Sequence, residues 1–256
     1  MLICPVRECG LALQKQDRRL TCERGHSFDI ARSGYINLLQ PQDRRSKNPG
    51  DTVAAVVGRR RLHDLGVTRP LLDGIAQMLN CSPSDTILDA GCGDGFYLGS
   101  LAAGTSFSAH GVDISIPAID AAARRYPKCE WLVANADRIL PYANQSFTAI
   151  LSITARMNQS EFRRTLKDDG RLLVAIPAPD DLIELRGAGR DRTGRTIETF
   201  ANSFKLLNHQ RVTTKAHLSE AAVSDVLHSI YRPIQPTAPS AMLVTFSLDL
   251  LLFQPA

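Results

Sequence analysis

Four residues near the start of the chain have the types and spacing to share one metal ion: Cys4, Cys9, Cys22 and His26. The first pair encloses four residues, the second encloses three, and twelve separate the pairs. Each pair can converge from one turn, and thiolate plus imidazole is the donor set zinc prefers. Four protein ligands close the coordination sphere, so the expected role is structural and not catalytic. Cys81, Cys92 and Cys129 are isolated in apolar or glycine-rich surroundings, where a small buried side chain is the expected reading.

A second constellation lies in LDAGCGDGF, where Asp89, Gly91, Cys92, Gly93 and Gly95 follow an apolar strand and open a helix. Glycines there let the backbone approach a ligand, and the helix start offers free amide donors. A dinucleotide loop would need G-x-G-x-x-G, yet position 96 is Phe. A phosphate-binding Walker loop is excluded because no Gly-Lys-Ser/Thr follows.

The elements that must position these residues read as follows. Residues 1 to 29 hold short polar or alternating segments, as expected of small hairpins tied by a metal. QPQDRRSKNPGD is a connector, and TVAAVVGRRRLHDLG and TRPLLDGIAQMLN carry helical apolar spacing that ends at Gly66 and Asn80. Strands and helices then alternate: DTILDAG, FYLGSLAAG, SAHGVDIS, IPAIDAAARRY, CEWLVAN, FTAILSIT, a helical SEFRRTLKDDG with Ser160 as its cap, and RLLVAIPA. Such alternation predicts an α/β fold with a doubly wound, mostly parallel sheet. Residues 180 to 195 read as a mobile glycine-rich basic loop, HLSEAAVSDVLHSIY as a helix, and AMLVTFSLDLLLFQ as a long strand closing the sheet.

At 256 residues the chain can bury one sizeable core with a small module attached. The start, MLICPVRECG, lacks the apolar core of a secretory signal, and no apolar run reaches the roughly 18–20 residues of a membrane span, so the cytoplasm is the expected compartment. The net charge of +4 is unevenly spread, because residues 1 to 62 hold twelve Lys and Arg against six Asp and Glu. A phosphate-binding face would produce that asymmetry, and so would a solvated basic surface.

The acidic residue before a G-x-G-x-G turn resembles class I S-adenosylmethionine-dependent methyltransferases, a Rossmann-like fold. The resemblance implies that Asp89 holds the methionine ammonium within the loop 89 to 95. It also implies that Asp113, with Ile114 beside it, accepts the ribose hydroxyls, and that Asn135 and Ala136 face adenine. GHSFDIARSGYINLL, RRSKNPGD, ARRYP and PAPDDLIELR, together with the metal ligands, resemble the RlmA family, which methylates N1 of a guanine in a 23S ribosomal RNA hairpin loop. This implies a zinc-binding module at 1–37, a connector with helices at 38–80 and a methyltransferase domain at 81–256. S-adenosylmethionine and structural zinc are the expected cofactors, and 23S ribosomal RNA is the expected partner. A homodimer is compatible with that reading.

Arg44, Arg45, Lys47, Arg59, Arg60 and Arg61 are the candidate RNA contacts. Asp137, Asn158 and Asp180 fall near strand ends where a group assisting proton loss could sit, although none is singled out. Three departures from the family stand out: the widened first cysteine pair, the loop ITARMNQSEF without the usual proline, and a shortened C-terminal part. A methyltransferase acting on another substrate, or a non-catalytic RNA-binding factor that keeps the fold, are the alternatives these departures raise.

Overall fold

Apolar strands β5 (Thr86–Ala90), β6 (Ser108–Asp113), β7 (Glu130–Val133), β8 (Phe147–Ile153) and β9 (Leu166–Pro177) run parallel, because each is joined to the next by a crossover over a sheet face. In this computed structural model, residues 1–43, 46, 49–229 and 239–256 are described. Ahead of the sheet stand three short strands, β1 (Gln14–Gln16), β2 (Arg19–Thr21) and β3 (Ser27–Asp29), and a two-residue strand β4 (Ile36–Asn37). After it come β10 (Phe204–Leu218) and β11 (Met242–Pro255). The large sheet has the order β10-β11-β9-β8-β5-β6-β7-β4, with β11 antiparallel to both neighbours.

Helices cover both faces. On one side lie α2 (Arg69–Leu79), α3 (Phe96–Gly104) and α4 (Ile116–Arg125), burying Leu72, Ile75, Leu98 and Ile119 against Ile87, Val133 and Leu151. On the other lie α5 (Gln159–Thr165) and α7 (Thr193–Phe200), with Phe162 and Phe200 stacked at 6.4 Å, while α6 (Ile183–Arg186) packs Leu185 into a third cluster. This cluster joins α1 (Val53–Asp64) and α8 (Glu220–Ser229) through Leu62, Val223 and Val226. No helix among the described residues is long and apolar enough to cross a membrane.

The hairpins β1-β2-β3 are too small to bury a core of their own. Their Leu13, Leu20 and Phe28 therefore join the same apolar cluster as Leu132, Tyr142 and Phe147 of the large sheet. Ile3 donates its amide to the Pro141 carbonyl at 3.0 Å, and Ile36 pairs with Leu132. The N-terminal module is thus seated on the sheet edge.

Several expectations change. The 180 to 195 segment is not a structureless loop: it contains α6 and the start of α7, because Glu184 accepts from the Thr245 amide and hydroxyl and Asp181 accepts from the Ser247 amide. The last strand lies inside the sheet. The edge is β10, exposed from Leu207 to Arg211 and turning alternate residues inward only from Val212 to Leu218. α5 is capped by Asn158 and not Ser160, and it ends at Thr165 because the following LKDDG already belongs to β9.

The tightest packing lies under Trp131, where a β-carbon at Gly111 would stand 2.2 Å from the indole. Overpacking costs about 1–3 kcal/mol, so Gly111→Ala is expected near the upper end of that range in denaturant unfolding. An unchanged midpoint would mean that Trp131 is free to move.

Candidate active site and metal centre

The four N-terminal donors converge. Cys4 Sγ and Cys22 Sγ stand 3.3 and 3.4 Å from His26 Nδ1, Cys9 Sγ is 3.7 Å from Cys22 Sγ, and all four donor atoms lie within 4.8 Å of one another. Tetrahedral zinc with ordinary bond lengths would separate sulfur from sulfur by about 3.8 Å and sulfur from nitrogen by about 3.6 Å. The cluster fits the ion. The widened first pair is accommodated because Glu8 takes a left-handed backbone, φ 60°, and turns Cys9 back under Cys4. Burial raises the Cys22 thiol, but hydrogen bonding from backbone groups at His26 and Arg24 outweighs it and brings the pKa to about 7. One thiolate is therefore favoured before metal arrives.

The glycine loop follows β5 and precedes α3. Gly91, Gly93 and Gly95 all have positive φ, and the Gly91 and Cys92 amides both donate to the Val112 carbonyl. A β-carbon on Gly91 would lie 2.4 Å from Ala155 Cβ, so the segment after β8 closes directly on the loop. Asp113, at the end of β6, accepts from the Gly93 amide at 2.9 Å and the Ser115 amide at 2.8 Å. Ile114 packs beside it, and the Ser115 hydroxyl caps α4 and reaches the Asp51 carbonyl. Cys92 is buried, with its thiol pushed well up by burial and by neighbouring carboxylates.

Asp89 is the least compensated group. It is 1% exposed, and its Oδ1 finds no hydrogen-bond partner among the described residues. Burial, with repulsion from Asp113 added, lifts its pKa to about 8. A cationic ligand group beside Asp89 would relieve both the lost hydrogen bond and the desolvated charge. Asp94, also buried, is raised by desolvation in spite of the nearby Arg59. His63 is held neutral, with a pKa of about 3, by burial and by Arg59 and Arg125, and it stacks on Phe96 at 3.9 Å.

At the end of β7, Asn135 donates to the Asp43 carbonyl and accepts from the Asp137 amide, while the Ala136 carbonyl accepts from Asn158. One lone pair of Asn135 Oδ1 is left for an outside donor. Asp137 pairs with Arg156 at 3.4 Å, Asn158 is committed to capping α5, and Asp180 keeps a buried Oδ1 without a hydrogen-bond partner among the described residues. The structure gathers Asp89, the glycines, Asp113 and the 135–136 pair along one edge of the sheet, at the carboxyl ends of the parallel strands.

The basic candidates divide. Arg44, Arg45 and Lys47 lie outside the described residues. Arg59 does not stand on an outer surface: it pairs with Asp51 at 2.6 Å, and its Nη1 lies 3.1 Å from where a Gly93 β-carbon would be. Arg61 is clamped by the α8 residue Asp225, and Arg60 is half-buried near Asp64 and Asp94. Arg59 and Asp51 are the site neighbours that sequence reasoning missed. The helical period of α1 gives its faces but not what they meet, although Ser115 before Ile-Pro is a legible cap.

A structural metal makes the module's folding depend on its ligands, to the extent of about 10 kcal/mol of binding free energy. Cys22→Ser should abolish stoichiometric zinc in elemental analysis and release hydrogen-exchange protection in β2 and β3. Retention of a full equivalent of zinc would contradict the ligand set.

Comparison with known proteins adds the final element. Residues 2–47 match the family profile described as "RlmA, N-terminal", and residues 87–174 match a methyltransferase domain. The chain is 34% identical to the 23S rRNA (guanine(748)-N(1))-methyltransferase of Streptomyces fradiae, over 88% of this chain and 83% of that one. It is also 34% identical to YxjB of Bacillus subtilis, over 73% of this chain and 67% of that one; YxjB is assigned, without proof, to 23S rRNA guanine-N1 methylation. Among solved structures, a TehB-like S-adenosylmethionine-dependent methyltransferase from Corynebacterium glutamicum covers 79% of this chain and 98% of its own at a TM-score of 0.51 and 19% identity, a likeness of fold. The zinc-ribbon start, the class I fold and the extent of the shared sequence make this chain a member of the RlmA family of 23S rRNA guanine-N1 methyltransferases.

Proposed function

We propose that the protein transfers a methyl group from S-adenosylmethionine to N1 of a guanine in 23S ribosomal RNA. The observation that carries the reading is the buried, unpartnered Asp89 at the base of the glycine loop, in a chain similar over most of its length to a guanine-N1 methyltransferase. When bound, the cofactor supplies an electrophilic methyl on its sulfonium. Asp89 accepts the methionine ammonium, and Arg59, the nearest cation to the loop, suits the methionine carboxylate. Asp113 keeps lone pairs beyond its two backbone bonds for the ribose hydroxyls, and Ala136 with Asn135 borders the adenine.

The protein's part in the reaction is alignment. Holding the attacking nitrogen close to the methyl and in line with it removes much of the entropic barrier. The segment 154–158, brought against Gly91 through Ala155, borders the space left for the base. N1 of guanine is protonated near neutral pH, so its proton must pass to solvent or to a side chain at this edge. The zinc module, rigid and joined to the sheet at Pro141 and Leu132, carries exposed Lys15, Arg18 and Arg19 toward an RNA substrate. We place the working boundaries at 1–37 for that module, 38–80 for the connector and its helices, and 81–256 for the methyltransferase domain.

Nucleoside mass mapping of 23S ribosomal RNA from cells with and without the protein should differ by one N1-methylguanosine, restored by purified protein and S-adenosylmethionine. Methyl groups found only in protein or small metabolites would overturn the reading. Asp89→Asn should weaken S-adenosylmethionine binding by about 2 kcal/mol, roughly thirtyfold, in calorimetric titration with zinc content unchanged. Wild-type affinity in that variant would remove Asp89 from the site.

A further inference from the structure

A second basic surface lies in the stretch from the end of α6 into the first turn of α7, which follows β9 and so stands away from β4 in the sheet order. Gly187 to Arg195 contains Arg190, Arg192 and Arg195 against the single acid Asp191, and all four are exposed. Many arginines among the described residues are already committed: Arg59, Arg61, Arg124, Arg125, Arg163 and Arg171 each pair with a carboxylate. Arg190, Arg192 and Arg195 have no ion-pair or side-chain hydrogen-bond partner among the described residues. Asp191 forms no ion pair among the described residues, and its Oδ1 accepts the Thr193 amide at 2.8 Å.

The stability of α7 does not account for this charge. Its first turn has no acidic residue, and Arg192 sits at its N-cap without a side-chain cap. Cations at that end oppose the helix dipole. The frame beneath them is nevertheless fixed: Gly189 donates to the Pro179 carbonyl, Arg186 pairs with Asp181, and Glu184 is held by Thr245. Anchored ends with unpaired cations on top are what a polyanion contact requires.

Placement supplies the partner. The segment follows the carboxyl end of β9, and the sheet order then sets the loops after β8, β5, β6 and β7 along the same edge, ending at the zinc module. In sheet order the glycine loop and Ala155 therefore lie between this segment and the module that carries exposed Lys15, Arg18 and Arg19. Resting on the guanine-N1 reading, we propose that Arg190, Arg192 and Arg195 form a phosphate-binding wall that grips an RNA stem-loop from the side opposite the zinc module.

The test is binding of the full-length protein to protein-free 23S ribosomal RNA across a salt series, read by filter retention. Each phosphate-contacting cation removed lowers the salt slope by about one. The variant R190A/R192A/R195A should lose about two to three units of slope and at least tenfold in affinity at low salt, with S-adenosylmethionine affinity unchanged. The control K167A/K205A removes exposed charges at the opposite, N-terminal ends of β9 and β10 and should keep the wild-type slope. A wild-type slope in the triple variant, or an equal loss in the control, overturns the proposal. Transfer to guanine N1 is scored on the same RNA: a lost slope without any N1-methylguanosine from wild-type protein would retain the wall and reject the reading beneath it.

Discussion

A carboxylate buried without a partner is the constraint on which this structure turns. Asp89 sits at the inner end of β5, with Asp113 close enough to repel it. Such a charge is costly unless something cationic and hydrogen-bonding completes it. The surrounding backbone is arranged so that a ligand can reach it: the positive-φ glycines remove side chains from its approach, and Asp113 is pinned by two amides so that its position does not depend on the ligand. Arg59 and Asp51 come from the region ahead of the sheet and complete the electrostatics of the loop. The proposed cofactor site is therefore assembled from the connector side as well as from the sheet.

The zinc module follows a different constraint. Its strands of three residues cannot bury enough apolar surface to hold together, so a metal fixes one end while Leu13, Leu20 and Phe28 borrow the core of the large sheet at the other. That shared core and the pairing of Ile36 with Leu132 of β7 fix the module directly to the sheet. Arg138, in the loop after β7, both donates to the Pro5 carbonyl and pairs with buried Asp43, tying module, connector and loop together.

Much of this was legible in the sequence because the signals are local. The glycine spacing, the strand-end Asp113 and the cysteine-histidine pairs each report a backbone or ligand requirement within a few residues. α3 matched its expected limits, since Gly95 and Thr105 bound an unbroken helical run. The remainder depended on distant partners. β10 alternates only in its second half, where Val212, Thr214, Ala216 and Leu218 turn inward, while Asn208 to Arg211 are all exposed on the sheet edge and carry no apolar period. The order of α6 comes from bonds to Thr245 and Ser247, some sixty residues away, and that of α7 from Phe200 packed among Phe162, Phe204 and Phe253. Arg59 read as a surface cation until Asp51 and Gly93 were found beside it.

The central claim is that the cofactor's cation completes Asp89. Carbon-13 NMR of aspartate carboxyls, titrated with and without S-adenosylmethionine, tests it most directly. The account predicts an Asp89 carboxyl that titrates near 8 in the free protein and stays ionised through that range once the cofactor is bound. An ordinary midpoint near about 4 in the free protein, or a raised midpoint that the cofactor leaves in place, would contradict it.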